Sequence, residues 1–173
     1  MQFFDTHCHL DQEEFDEDHA EMIARAQEAG VKRMLTVAVT ADSSDATVSL
    51  AEANEDLYAA VGIHPNYCSQ VAEDEWDRVL EMTKHPKVVA LGETGLDFYR
   101  DYAPSDVQED YFDRHIRLSQ KLGLPFIVHT RSSEELVMKM LREGADCGPL
   151  KGIMHSFTGD ETTAAEFLEL GMP

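Results

Sequence analysis

The 173-residue sequence is poor in basic residues. It has 14 lysines and arginines against 34 aspartates and glutamates, which gives a formal net charge of -20 at pH 7. A surface of this sign repels polyanions, because proteins normally bind nucleic acid through lysine and arginine that neutralise phosphates. The acidic residues form either an ordinary solvated surface or an adaptation to high salt. A nucleic-acid substrate would need bound divalent cations to supply much of the local attraction.

Cysteines and long apolar runs are also scarce. Cys8, Cys68 and Cys147 lie far apart and form no C-x-x-C pair, which favours a reducing compartment, and we expect a cytoplasmic protein. No stretch of about 18 apolar residues is present, so no transmembrane helix and no membrane partner are expected. The N-terminus reads MQFFDTHCHL and lacks the basic and apolar regions of a signal peptide.

Six short apolar runs alternate with segments of helical periodicity. The runs predict strands at 3–5, 34–39, 57–63, 88–92, 126–129 and 152–155. The periodic segments predict helices at 19–29, 44–54, 73–83, 105–122, 133–143 and 161–170, several of them ended by a glycine. Runs that are apolar throughout are typical of strands buried on both faces of a parallel sheet. The pattern therefore predicts an α/β fold.

The strand starts recur about every 30 residues, which is the unit size of an eight-fold barrel of ~250 residues. We therefore expect a TIM-type (β/α)8 barrel of which about six βα units are present. The chain is expected to form a single domain, 1–173, that lacks the last two units.

Histidines and one glutamate stand at the predicted strand ends. His7 and His9 lie two apart in an extended segment, so both side chains point to one face and can converge on one ion. Glu93 follows the fourth strand, whereas His129 and His155 end the fifth and sixth. Barrel enzymes place their sites at this end of the strands. Imidazole and carboxylate suit divalent cations, and a carboxylate can bridge two of them. The alternative is a set of hydrogen-bonded polar groups in the core.

Five ordered motifs resemble those of the TatD-like hydrolases. They are HCHLD at 7–11, GIHP at 62–65, GETGLDFY at 92–99, VHTR at 128–131 and HSFTG at 155–159. The resemblance implies a metal-dependent hydrolase barrel that cleaves phosphodiesters with two divalent metal ions, among which Mg, Mn, Zn, Co and Ni are not distinguished. It also implies that His7, His9 and Glu93 bind one ion, and that Glu93, His129 and His155 bind the other.

Further residues carry weaker expectations. By the same resemblance, His64 contacts the scissile phosphate, although it is also explained as part of a turn-forming His-Pro pair. Arg131 is a candidate phosphate donor or, alternatively, a member of a structural ion pair.

Asp97 and Tyr99 are candidates for loop order or substrate contact. Asp5 either orients a ligand histidine from behind or is an ordinary strand aspartate. His19, His85 and His115 are expected to be surface or packing residues.

The sequence departs from the family pattern in two places. Ser132 stands where an aspartate usually follows the arginine. The family's last metal ligand, an aspartate of an E-T-D-x-P motif at the eighth strand, does not occur before Pro173. We therefore expect a C-terminally truncated chain whose first and sixth strands are open edges, which makes self-association possible.

Three functions compete. The first is a deoxyribonuclease, for which 3'-5' exonuclease action is one option, that hydrolyses phosphodiester bonds of DNA or of a small phosphodiester with a metal-activated water. The second is an amidohydrolase-type enzyme that cleaves an ester or amide. Such barrels often carry a modified lysine at the fourth strand, so Glu93 favours the first function. The third is a catalytically impaired fragment that lacks the final metal-ligand aspartate.

Overall fold

Six strands alternate with six helices in a computed structural model, which describes residues 1–15, 17–100 and 102–173. The strands β1 to β6 are Phe3–Cys8, Val31–Val37, Leu57–Val61, Val88–Asp97, Phe126–Arg131 and Gly152–His155. The helices α1 to α6 are His19–Glu28, Ala41–Ala53, Glu75–Met82, Ser105–Leu122, Glu134–Cys147 and Glu161–Glu169. Short 3-10 turns occupy Glu13–Phe15 and Cys68–Gln70.

No helix in the described part of the chain is both long enough and apolar enough to cross a membrane.

The strands form one parallel sheet in the order β1-β2-β3-β4-β5-β6. Although β1 and β6 are the outer strands, the rings of His7 and His155 at their ends stack with centroids 3.6 Å apart. The sheet must therefore curl until its two outer strands approach each other. This arrangement confirms the predicted partial (β/α) barrel with six βα units.

Both faces of the sheet are packed. The larger apolar cluster lies between the strands and the helices and includes Leu57, Phe112 and Phe126. A second, smaller cluster consists of Leu35, Val37, Ala60, Ala90 and Ile127. Side chains two apart on a strand share a face, so Ile127 and His129 point the same way. The small cluster is therefore the floor beneath the predicted site.

The fourth strand is longer than predicted, and Glu93 lies within it instead of after it. β4 continues to Asp97 beyond an irregularity in its pairing with β5 between Leu91 and Thr94. Gly95 has a φ of +125°, and a Cβ there would lie 2.0 Å from the carbonyl oxygen of His129. The glycine thus permits close pairing of the two strands.

Two helix boundaries differ from the prediction by three residues or more. α5 passes through Gly144 to Cys147, because the missing Cβ lets α5 approach Ile116 of α4. α2 begins at Ala41 instead of residue 44, because Thr40 and Ser43 form a capping box in which each side chain accepts from the other's backbone amide.

Candidate metal centre

The Glu93 carboxylate stands at the centre of four imidazoles. Its Oε2 lies 3.5 Å from His7 Nε2 and 3.8 Å from His9 Nε2. Its Oε1 lies 3.3 Å from His129 Nδ1 and 4.0 Å from His64 Nε2. Only 4% of Glu93 is exposed. Burial alone would raise its pKa, but hydrogen bonds from His129 and His7 outweigh burial and hold the pKa well below its ordinary value.

The first ligand group is His7, His9 and Glu93. The two imidazoles point into the site from β1, while Cys8 between them donates to Leu35 O at 3.3 Å on the opposite side. Burial raises the pKa of the Cys8 thiol to about 12, so this sulfur remains protonated. His9 Nδ1 donates to Val37 O at 2.7 Å. A neutral imidazole carries one proton, so the lone pair of His9 Nε2 is left for a cation.

The spacing of these donor atoms fits a cation. Metal–nitrogen bonds of about 2.1 Å place the ligand atoms of a tetrahedral shell roughly 3.4 Å apart. Here the two Nε2 atoms are 3.2 Å apart, and they lie 3.5 and 3.8 Å from the carboxylate. Two imidazoles and one carboxylate at these separations suit a divalent cation.

The second ligand group is His64, Glu93 and His129. His129 Nε2 donates to Asp97 Oδ2 at 3.1 Å, which leaves Nδ1 facing Glu93. Burial lowers the pKa of His129, but the charges and hydrogen bonds of Glu93 and Asp97 raise it by more. In contrast, burial lowers the pKa of His64 to about 4, so this ring is neutral near pH 7.

At His64 the nitrogen that faces Glu93 is the one that carries the proton. Its Nδ1 accepts from the backbone amide of Asn66 at 3.1 Å. In a neutral ring the proton then resides on Nε2, which faces Glu93. This nitrogen is therefore a hydrogen-bond donor and lacks the free lone pair that a metal ligand requires.

His155 ends β6 beside His129, its partner across the two strands, and it also reaches His7 on β1. Its ring stacks on His7, with Nε2 3.0 Å from Ser156 Oγ. Burial lowers its pKa, and the neighbouring His7 adds to this effect. Within the described residues, the two ligand groups do not include His155, although it stands at the same end of the sheet.

Asp97 connects the site to the loop after β4. Its Oδ1 accepts from the backbone amides of Tyr99 and Arg100 at 3.0 and 2.9 Å, and its Oδ2 accepts from His129. Burial would raise the pKa of Asp97, but the Arg100 amide and His129 lower it overall. Asp97 is itself held by Gln108, whose Oε1 accepts from the Asp97 amide at 2.8 Å.

The remaining predicted site residues lie at the rim or behind the ligands. Arg131 ends β5 and places its guanidinium carbon 3.9 Å from the ring centroid of Tyr99. The alternative explanation for Arg131 was a structural ion pair. Among the described residues, Arg131 takes part in no salt bridge. Asp5 accepts from the backbone amide of His7 at 3.1 Å and so contacts the main chain of a ligand instead of its imidazole.

Sequence reasoning missed two residues that hold this site together. Asn66 donates to His64 from its backbone and to Asp97 Oδ2 from its side chain, at 3.4 Å. Gln108 supports Asp97 from α4. Asn66 directly follows the GIHP motif, which was the available signal, whereas Gln108 is an ordinary helix residue until the helix packs on β4.

Histidines outside the site have packing roles. His115 is completely buried, and its Nε2 accepts from the backbone amide of Ile63 at 3.2 Å. His19 Nε2 donates to Leu10 O.

Known proteins are similar to this chain in sequence and in fold. The uncharacterized metal-dependent hydrolase YabD of Bacillus subtilis is 37% identical over 168 residues, which cover 96% of this chain and 65% of YabD. The 3'-5' ssDNA/RNA exonuclease TatD of Cronobacter turicensis is 34% identical over 169 residues, covering 98% of this chain and 64% of the relative. The chain thus spans about two thirds of the length of these relatives.

A solved structure also matches. The crystal structure of YjjV, a TatD homolog from Escherichia coli K12, superposes with a TM-score of 0.91 at 31% identity, covering 98% of this chain and 66% of that one. Residues 4–173 match the family model described as TatD related DNase. The strand-end ligands, the fold and the sequence agree, and the chain belongs to the TatD family.

Proposed function

We propose that this chain is a metal-dependent hydrolase of phosphodiester bonds in single-stranded DNA, with 3'-5' exonuclease action. The observation that carries the proposal is the buried Glu93 carboxylate shared by two ligand groups. A relative named as a 3'-5' ssDNA/RNA exonuclease supports the choice of substrate. When bound, two divalent cations supply an acidified water and neutralise phosphate oxygens.

The residues around Glu93 divide between cation binding and substrate binding. His7, His9 and Glu93 would hold one cation, and Glu93 and His129 would hold the other, with His155 as the further ligand that the family resemblance implies. Glu93 would contribute to both ligand sets, since its Oε2 faces His7 and its Oε1 faces His129. Asp97 fixes the tautomer of His129.

His64 and Arg131 act on the phosphate. His64 donates from Nε2 to a phosphate oxygen, because its Nδ1 is occupied as an acceptor. Arg131 adds a guanidinium that is always charged and presents several N–H donors. Together they orient the phosphodiester so that its bond faces the cation site.

The test is hydrolysis of a labelled single-stranded oligonucleotide by the purified chain with Mg²⁺ or Mn²⁺. We expect Glu93→Gln to abolish nucleotide release and to lower the bound metal measured by elemental analysis. Glu21→Gln is the matched control, since this carboxylate lies exposed on α1. The proposal fails if the metal-loaded chain releases no nucleotide or if Glu93→Gln retains full turnover. Bound metal without hydrolysis would instead support the catalytically impaired alternative.

We also propose a reducing, cytoplasmic location. All three cysteines are free, and Cys8 and Cys68 are packed into the fold. Alkylation of the chain under native conditions in cell lysate, followed by mass measurement, would show free thiols if this is correct and disulfides if it is not.

A further inference from the structure

Aromatic side chains are exposed on the loop that follows β4. Tyr99 is 63% exposed and Tyr102 is 57% exposed. Large aromatic side chains gain free energy when they leave water, so exposed rings beside a polar site often mark a ligand surface. Tyr99 is the one of these two that the structure connects to the metal centre.

Asp97 holds Tyr99 in place relative to the site. The same carboxylate accepts from the Tyr99 amide at 3.0 Å and from His129 Nε2 at 3.1 Å. The amide of the intervening Phe98 donates to Arg131 O at 2.9 Å, which continues the pairing of β4 with β5 by one residue beyond the end of β4. The position of the tyrosine is therefore fixed by the residues that fix a candidate ligand.

Arg131 covers one part of the Tyr99 ring. It lies two residues beyond His129 on β5, so the two side chains share a face and their α-carbons are ~6.6 Å apart along the strand. Its guanidinium carbon lies 3.9 Å from the ring centroid, a cation–π contact. The rest of the ring is exposed, and the cation beside it suits an anionic ligand.

We propose that Tyr99 and Arg131 form a nucleotide-binding platform, on which Tyr99 stacks with a nucleobase and Arg131 donates to the adjoining phosphate. This inference rests on the proposed function, since it assigns the base-binding part of the same substrate. Stacking depends on the π-face that every base has, so it requires no particular sequence. Stacking also does not depend on an extended positively charged surface, which suits a chain of net charge -20.

The test compares binding of a single strand of six thymidines with binding of an abasic strand of equal length. Both strands carry a fluorophore and phosphorothioate linkages that resist cleavage, and binding to the Mg²⁺-loaded chain is followed by fluorescence anisotropy. We expect the intact strand to bind about tenfold more tightly than the abasic strand. Tyr99→Ala should remove this preference, whereas Tyr99→Phe and Tyr99→Trp should keep it.

Two further variants separate the parts of the platform. Tyr102→Ala removes a similarly exposed ring of the same loop and should leave the preference unchanged. Arg131→Met should weaken binding of both strands by the same factor, because both contain the phosphate. The inference is wrong if the wild-type chain does not distinguish the strands, if it binds neither, or if Tyr99→Ala keeps the preference.

Parallel hydrolysis assays on unmodified strands separate this inference from the proposed function. Base-dependent binding without hydrolysis would support the platform and contradict the nuclease. Hydrolysis with equal binding of the intact and abasic strands would support the nuclease and contradict the platform.

Discussion

Glu93 remains charged in a position where burial opposes charge. Its carboxylate is nearly inaccessible to water, yet hydrogen bonds from His129 and His7 lower its pKa overall. A buried carboxylate requires such partners, because an unpaired charge is costly in a medium of low dielectric constant. The centre is therefore built to receive positive charge at one carboxylate, and the histidines around it differ mainly in which nitrogen they offer.

The tautomer of His64 leads to a prediction about metal content. Because His64 Nδ1 accepts from Asn66, its Nε2 carries the proton and is a donor instead of a ligand. We expect His64→Ala to lower kcat about a hundredfold, as for loss of one donor to a developing negative charge, without loss of bound metal. His129→Ala is the matched control and should lower both kcat, measured by nuclease assay, and bound metal, measured by elemental analysis. Loss of metal from His64→Ala would make His64 a ligand and refute this assignment.

At the scale of elements, α4 is joined to the end of β3 by a buried histidine. His115 Nδ1 donates to Tyr111 O at 2.6 Å within α4, and its Nε2 accepts from Ile63 N. This bond holds the residue that precedes His64. Burial lowers the pKa of His115 to about 4, so the ring is neutral in the folded chain at pH 7.

This pKa shift predicts a dependence of stability on pH. The pKa of histidine in the unfolded chain is about 6.5, so between pH 6.5 and 4 the unfolded state binds the proton more readily. The free energy of unfolding should therefore fall as the pH falls through this range, by up to about 3 kcal/mol from this one residue. Urea unfolding of the wild type and His115→Gln at several pH values measures the effect. We expect the free energy of unfolding of the variant to rise relative to that of the wild type as the pH falls. Parallel plots of unfolding free energy against pH for the two proteins would contradict the prediction.

Some elements could be predicted from the sequence, and others depended on contacts between distant residues. Short apolar runs and strand-end histidines are local signals, so the parallel fold and the placement of His7, His9 and Glu93 at one end of the strands could be anticipated, whereas their grouping came from the family resemblance. The continuation of β4 to Asp97 depends on pairing with β5, and the passage of α5 through Gly144 depends on packing against α4. Neither contact leaves a local pattern.

At the scale of the whole molecule, curvature of the sheet decides which ligands meet. His7 and His155 are 148 residues apart, as their numbers show, and stand on opposite outer strands. Their stacking results from the curl of all six strands, so strand-end positions alone could not reveal that His155, the neighbour of His129 on the next strand, also reaches His7. The tautomer of His64 likewise depends on the turn that brings the Asn66 amide to its Nδ1.

Association through the outer strand β1 is the last prediction. Within the described chain β1 pairs only with β2, and Phe4 on it is 51% exposed. An unpaired apolar edge is a template for another strand, but the net charge of -20 repels a second copy. We therefore expect sedimentation velocity to show association that strengthens with salt, which screens exposed charges beyond about 8 Å at 0.15 M. Phe4→Lys should reduce association, whereas Leu168→Lys, which replaces a 61% exposed side chain on α6, should not. A wild-type chain that stays monomeric at every salt concentration would show that this edge does not self-associate. The same conclusion would follow if Phe4→Lys and Leu168→Lys changed the extent of association equally.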